Sequence, residues 1–179
     1  MFSRTKNGKE IYLKKWAFEN LEALTEYLVE LNHETKKRFA PHAFDIETLK
    51  TLFQKSEEYS GYIATEPLEN KVIAYCIVKS GILPKDAARL EQLGLIFDQD
   101  SDLTIAPSVA DAWQSEGVGS LLMHFIVSDI RLTLAARMVL WGGVQRDNQK
   151  AIRFYLKHGF KIVGQFERKG LNYDMVLDL

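Results

Sequence analysis

The sequence predicts an α/β fold: a mixed, mostly antiparallel sheet of about six or seven strands flanked by about four helices. Two observations predict it. Segments that alternate apolar and polar residues interleave along the chain with segments whose apolar residues recur at helical spacing. In the second half, a glycine-rich turn joins a strand candidate to a strongly apolar helix. The length of 179 residues suits one domain. A chain of this size buries about 70% of its unfolded surface, enough for a core without disulfides.

The elements follow in order. Residues 10–16 alternate and read as a strand, and Leu21, Leu24, Leu28 and Leu31 place a helix over 19–31. A second helix follows Asp45, a candidate N-cap, and carries Ile46, Leu49, Leu52 and Phe53. Residues 59–65 and 71–78 form two strands around a turn at 67–70. Residues 84–100 read as a loop with room for one short helix. Residues 103–109 form a strand in which Pro107 cannot donate to a ladder, which predicts an edge or a bulge. Val118, Leu121, Leu122, Phe125, Ile126 and Ile130 form the stripe of a helix from Gly117 to about residue 135. Residues 138–144 make a short apolar strand. A helix over 148–158 stops at Gly159, which fits the left-handed position after a helix end. Residues 161–166 and 171–177 close the sheet.

Composition narrows the function. Lys and Arg total 23, Asp and Glu 24, so the net charge of −1 argues against a nucleic-acid partner. The single cysteine forbids an intrachain disulfide and suits a reducing compartment. The first residues lack a signal-peptide core, and no apolar run approaches the ~20 residues of a membrane span. A soluble, cytoplasmic protein without a membrane partner is the expectation. Charge is uneven: residues 86–116 hold seven acids against Arg89 alone, and residues 137–179 hold eight bases against four acids. Two solvated faces explain this, as does an acidic approach for a cationic substrate beside a basic lip for a phosphorylated one. Cys76 lies in an apolar strand and reads as a core thiol. The four histidines lack metal-ligand spacing, so no metal is expected.

The chemistry lies in Gln114-Ser115-Glu116-Gly117-Val118-Gly119-Ser120. Two glycines let the backbone approach a ligand closely, and the N–H groups of the helix start favour an anion such as a pyrophosphate. A dinucleotide G-x-G-x-x-G fails because Leu122 stands at the third glycine, and no P-loop string exists. Downstream come Asn148-x-x-Ala151-x-x-x-Tyr155-x-x-x-Gly159-Phe160. With these two runs the chain resembles the GNAT superfamily of N-acetyltransferases. The first matches that family's Q/R-x-x-G-x-G/A acetyl-CoA signature and the second its N-x-x-A-x-x-[FL]-Y-x-x-x-G-F motif. The resemblance covers residues 103–179 by motif and residues 10–80 by order of elements.

The resemblance implies one N-acetyltransferase domain, with acceptor-side elements over about 1–100 and an acetyl-CoA-binding core over about 101–179. It implies acetyl-CoA as acyl donor, lying where the strand ending at Val109 splays from the strand around Leu140. Backbone groups near Val109 would pair with pantetheine, and the amides of Ser115, Glu116, Gly117, Val118, Gly119 and Ser120 would cradle the pyrophosphate, with Gln114 opening the signature. Asn148 would hydrogen-bond pantetheine or the nearby strand, Ala151 belongs to the same motif, and Tyr155 would protonate the leaving thiolate. The acceptor is a small-molecule amine or a protein amine, attacking directly in a ternary complex, and a homodimer is compatible with this reading. Two departures stand out. Ile105 and Ala106 occupy positions where many members carry an acidic base. That leaves Asp102 as the nearest candidate base, ahead of Glu91 and His42, or else a bound water. Glu116 replaces a residue that is often basic or small, and its side chain is expected to face solvent. The rival reading is a non-catalytic acyl-CoA-binding or regulatory domain on the same fold.

Overall fold

The computed structural model describes residues 1–54 and 57–179. These residues carry nine strands and six α-helices: β1 (Phe2–Arg4), β2 (Glu10–Lys15), α1 (Leu21–Glu30), α2 (His33–Arg38), α3 (Ile46–Gln54), β3 (Tyr59–Thr65), β4 (Val72–Ser80), α4 (Pro84–Glu91), β5 (Asp102–Val109), α5 (Val118–Ile130), β6 (Arg137–Leu140), β7 (Val144–Gln145), α6 (Gln149–Lys157), β8 (Lys161–Glu167) and β9 (Leu171–Asp178). They group into two compact units, each drawn from two segments.

The first unit comprises Met1–Val78 and Ala106–Ile126. Its strands run in the order β1-β2-β3-β4, then the second half of β5. The antiparallel pairs β1–β2 and β2–β3 have registers set by Phe2↔Tyr12 and Leu13↔Ala64. β2 alternates in burial, with Ile11 and Leu13 fully buried, as its period-two pattern predicts. β3 and β4 are buried along most of their length, which suits strands covered on both faces. Leu24 and Leu28 of α1 and Leu49 of α3 add fully buried side chains to this core.

β1 was not predicted. Its hairpin turns through a three-residue loop: Gly8 N–H donates to Thr5 O at 3.0 Å, Thr5 N–H to Lys9 O at 2.9 Å, and Gly8 has φ +79°. That is a tight turn followed by a left-handed glycine, a favoured three-residue hairpin connection.

The second unit comprises Lys79–Ile105 and Val127–Leu179. The first half of β5 lies parallel to β6, and β6 and β7 lie antiparallel to β9, whose remaining pairing is to β8. Ile82, Leu90, Val139 and Val176 form a buried cluster flanked by Leu95, Phe97 and Val163. The predicted strand over 138–144 is two strands, because Gly142 (φ +66°) and Gly143 (φ +72°) turn the chain between β6 and β7. A Cβ at Gly143 would fall 2.7 Å from Tyr173 O, so only glycine fits there. Residues 84–91 form α4, with Pro84 at its first turn. α5 stops at Ile130, short of the predicted 135, where Thr133 returns both its N–H and its hydroxyl to Ile130 O.

Candidate active site

Two groups of predicted residues are assembled, one in each unit. In the first unit, β5 ends at Val109 and Ala110 N–H donates to Ile73 O at 2.8 Å. A short 3-10 turn, Asp111–Trp113, follows. Asp111 ties it to the α1–α2 junction by accepting from Asn32 N–H at 2.9 Å and from the Thr35 hydroxyl at 2.6 Å. Gln114 turns its side-chain amide back onto Val109 O (3.3 Å) and Asp111 Oδ1 (3.2 Å). It braces the loop from within.

Ser115 (φ +69°) and Gly117 (φ +94°) are both left-handed. A serine in that conformation carries strain, and such strain is concentrated at ligand clamps. The loop delivers the chain into α5, with Gly119 and Ser120 in the first turn and Val118 fully buried beneath it. The N–H groups at a helix start point along its axis, and with the dipole they favour an anion.

Glu116 does not face solvent as expected. Its side chain is 16% exposed, with Oε1 on Lys9 Nζ at 3.1 Å. Oε2 is buried without a hydrogen-bond partner among the described residues. The chain behind Glu116 is pinned too, since its carbonyl accepts from Lys6 N–H at 2.9 Å. Sequence reading missed this hairpin contact. The signal was Asn7-Gly8, a strong hairpin dipeptide between the two strands.

Behind β5 the first unit holds a buried polar chain. The Tyr27 and Ser108 hydroxyls lie 2.8 Å apart, and Ser108 also donates to Tyr75 O at 3.4 Å. Burial pushes both tyrosine phenols well above their ordinary range. His42 sits between Phe44 and Tyr75, with Nδ1 on Ala43 O at 2.8 Å and Nε2 on the Tyr75 hydroxyl at 3.2 Å. Burial lowers the imidazole pKa against the opposing pull of Ala43 O and Asp45. Cys76 is fully buried, and burial raises its thiol pKa strongly.

In the second unit, Asn148 Oδ1 caps α6 by accepting from Ala151 N–H at 3.2 Å. Its amide is therefore partly spent on holding the helix start. Tyr155, two turns on, is 9% exposed, its ring against Phe154 and Phe160 at centroid distances of 5.3 and 5.4 Å. Asp102 is 0% exposed. Arg137 reaches it with Nε (2.8 Å) and Nη2 (2.7 Å), and Asp98 N–H donates to its Oδ2 at 2.7 Å. The β5–β6 ladder ends where Trp141 N–H meets Ile105 O (2.9 Å), and Pro107, two residues on, has no N–H for that edge.

Part of the acidic stretch is paired inside the protein. Asp86 and Asp174 clamp Arg89, which lies 3.6 Å over the Phe166 ring, and Asp86 Oδ2 accepts from Gly142 N–H. Asp102 is held by Arg137, Glu116 by Lys9 and Asp111 in its turn, while Glu91, Asp98 and Asp100 stay exposed. Among the described residues no group of three His, Cys, Asp or Glu side chains is placed to hold a metal ion, and no helix is long and apolar enough to cross a membrane.

The model of the acetyltransferase (GNAT) domain matches residues 61–162, more than half of the chain, and the chain belongs to that family. No curated protein matches it. Among solved structures it is similar to the GNAT domain of S. lividans PAT, with a TM-score of 0.75 at 18% identity, covering 100% of this chain and 96% of that one. A GNAT-family acetyltransferase from Streptococcus pneumoniae aligns with a TM-score of 0.69 at 17% identity, over 94% of this chain and 99% of that one. AAC(6')-Ib, solved with paromomycin and acetyl-CoA, aligns with a TM-score of 0.69 at 20% identity, over 94% and 93% of the two chains. At these identities the structural likenesses establish the fold alone.

Proposed function

We propose that the protein is an acetyl-CoA-dependent N-acetyltransferase that acts on a primary amine by direct attack in a ternary complex. The observation that carries this reading is the Ser115–Gly117 loop, held left-handed at two positions and opening α5. Its amides, with those of Val118, Gly119 and Ser120, hold the pyrophosphate. The main chain at Val109 pairs with pantetheine and orients the thioester carbonyl, and such preorganised donors stabilise the charge that develops there. Gln114 and Asp111 keep that strand end and the loop in fixed relation.

The neutral amine attacks the thioester carbon, the C–N bond forms and the C–S bond breaks. The departing thiolate takes the proton of the Tyr155 phenol. The amine must lose a proton of its own. Ile105 and Ala106 carry no base, and the Asp102 carboxylate already accepts from Arg137 and Asp98. Water therefore takes that proton. The acceptor is a small-molecule amine or a protein amine.

The test is acetyl-CoA turnover, read as free thiol, against a panel of polyamines, aminosugars, amino acids, lysine peptides and peptide N-termini. Amine-dependent release is expected for one class. Tyr155→Phe should bind acetyl-CoA normally and turn over at least ~10-fold more slowly. Binding without release across the panel would favour a non-catalytic acyl-CoA-binding domain, to which the apolar Ile105 and Ala106 lend support.

A further inference from the structure

We propose that the Thr5–Lys9 hairpin loop completes the diphosphate site: Lys6 supplies the cation that meets the cosubstrate's diphosphate, and Lys9 neutralises Glu116 so that its carboxylate does not oppose that anion. The inference rests on the acetyl-CoA reading and adds the charge that the loop lacks. Between Gln114 and Ser120 there is no basic residue and one acid. A helix N-terminus supplies the equivalent of about half a positive charge, which does not balance a diphosphate beside a carboxylate.

The hairpin lies on this loop. Lys6 N–H donates to Glu116 O at 2.9 Å. The Lys6 side chain runs along Gly117: a Cβ built there would meet Lys6 Cγ at 3.3 Å and Cε at 3.7 Å. The ammonium is one C–N bond further, about 1.5 Å, so it is within about 5 Å of that position. Lys6 makes no ion pair among the described residues, so its charge is uncompensated. Lys9 is committed elsewhere, with Nζ 3.1 Å from Glu116 Oε1 and 4.5 Å from the Trp113 ring centroid. Three hydrogen bonds close the turn that carries the two lysines. Thr5 Oγ1 accepts from Lys9 N–H at 3.2 Å, inside the ladder bonds that close the loop. Glu116 Oε2 is buried without a partner among the described residues, and Lys9 is the cation paired with this carboxylate.

Calorimetric titration of coenzyme A and of dephospho-coenzyme A, which lacks the ribose 3′-phosphate, tests this on wild type, Lys6→Gln, Lys9→Gln and Lys9→Gln/Glu116→Gln. Lys6→Gln should weaken both ligands about tenfold, the low end of what a hydrogen bond to a charged group contributes. It should also flatten the salt dependence of binding and leave the unliganded melting temperature unchanged. Lys9→Gln should weaken both ligands, and adding Glu116→Gln should restore them. Equal affinity of Lys6→Gln and wild type overturns the proposal, as does a Lys6 effect that vanishes with dephospho-coenzyme A or a double variant that is not restored. If wild type itself binds neither ligand, the acetyl-CoA reading falls first and this one with it.

Discussion

Replacing Arg137 by methionine separates structure from chemistry at Asp102. The carboxylate is 0% exposed and holds two bonds from the guanidinium and one from the Asp98 amide. Removing one partner of a buried ion pair costs about 3–5 kcal/mol, because the other charge stays buried. The Asp98 amide remains, so the lower end applies, about 3 kcal/mol. For a chain of this size each kcal/mol lowers Tm by about 2–4 °C, so Arg137→Met should melt roughly 6–12 °C below wild type. Asp102→Asn loses less, since Arg137 is 26% exposed and can turn its free donors to water. Urea denaturation with an unchanged m value is the stability assay. Turnover is then measured at a temperature where each variant is fully folded. If Asp102 serves the fold, Asp102→Asn should keep its kcat within a few-fold of wild type. A loss of 10²–10⁴, the range of a general base, with stability intact would refute the argument.

Three further predictions follow from single contacts. Gly117→Ala should lose about 1–2 kcal/mol, since φ +94° is unfavourable for any residue with a Cβ and that Cβ would press on Lys6; a gain in denaturation stability would show that the loop relaxes. Tyr27→Phe should lose about 1–2 kcal/mol, because Ser108 is left with only its 3.4 Å bond to Tyr75 O; an unchanged urea midpoint would mean that the hydroxyl pair is not formed in solution. Burial holds the His42 pKa below its unfolded value, so the unfolded chain takes up that proton first as pH falls. Stability should therefore drop as pH falls below about 6.5 and level off under the folded-state pKa, and His42→Asn should remove this component. Parallel Tm–pH curves for the two proteins between pH 7.5 and 5.5 would count against it.

The legible parts of this protein are those written in short spans. The glycine turn that opens α5 is specified within a few residues, so its spacing could be read directly. The second hairpin and the helices of 21–30 and 46–54 follow from periodicity for the same reason. The acids were misjudged because their partners are remote: Arg137 is 35 residues from Asp102, and Asp174 is 85 from Arg89. A count of charges along the chain cannot tell a solvated carboxylate from one buried on an arginine. The break between β6 and β7 was hidden because Trp141-Gly142-Gly143 continues an apolar run, while the contact that demands glycine comes from Tyr173. Glu116 was turned the wrong way because Lys9, which holds it, is 107 residues away.

The central claim is that the α5 loop binds acetyl-CoA, and the most direct test is the melting temperature of the purified protein with and without it. At 100 times its dissociation constant the ligand adds about 2.7 kcal/mol. At about 2–4 °C per kcal/mol, that raises Tm by roughly 5–11 °C. The same shift should be absent in Gly119→Glu, whose carboxylate stands in the first turn of α5. No shift in wild type at saturating acetyl-CoA, or an equal shift in Gly119→Glu, would contradict the account.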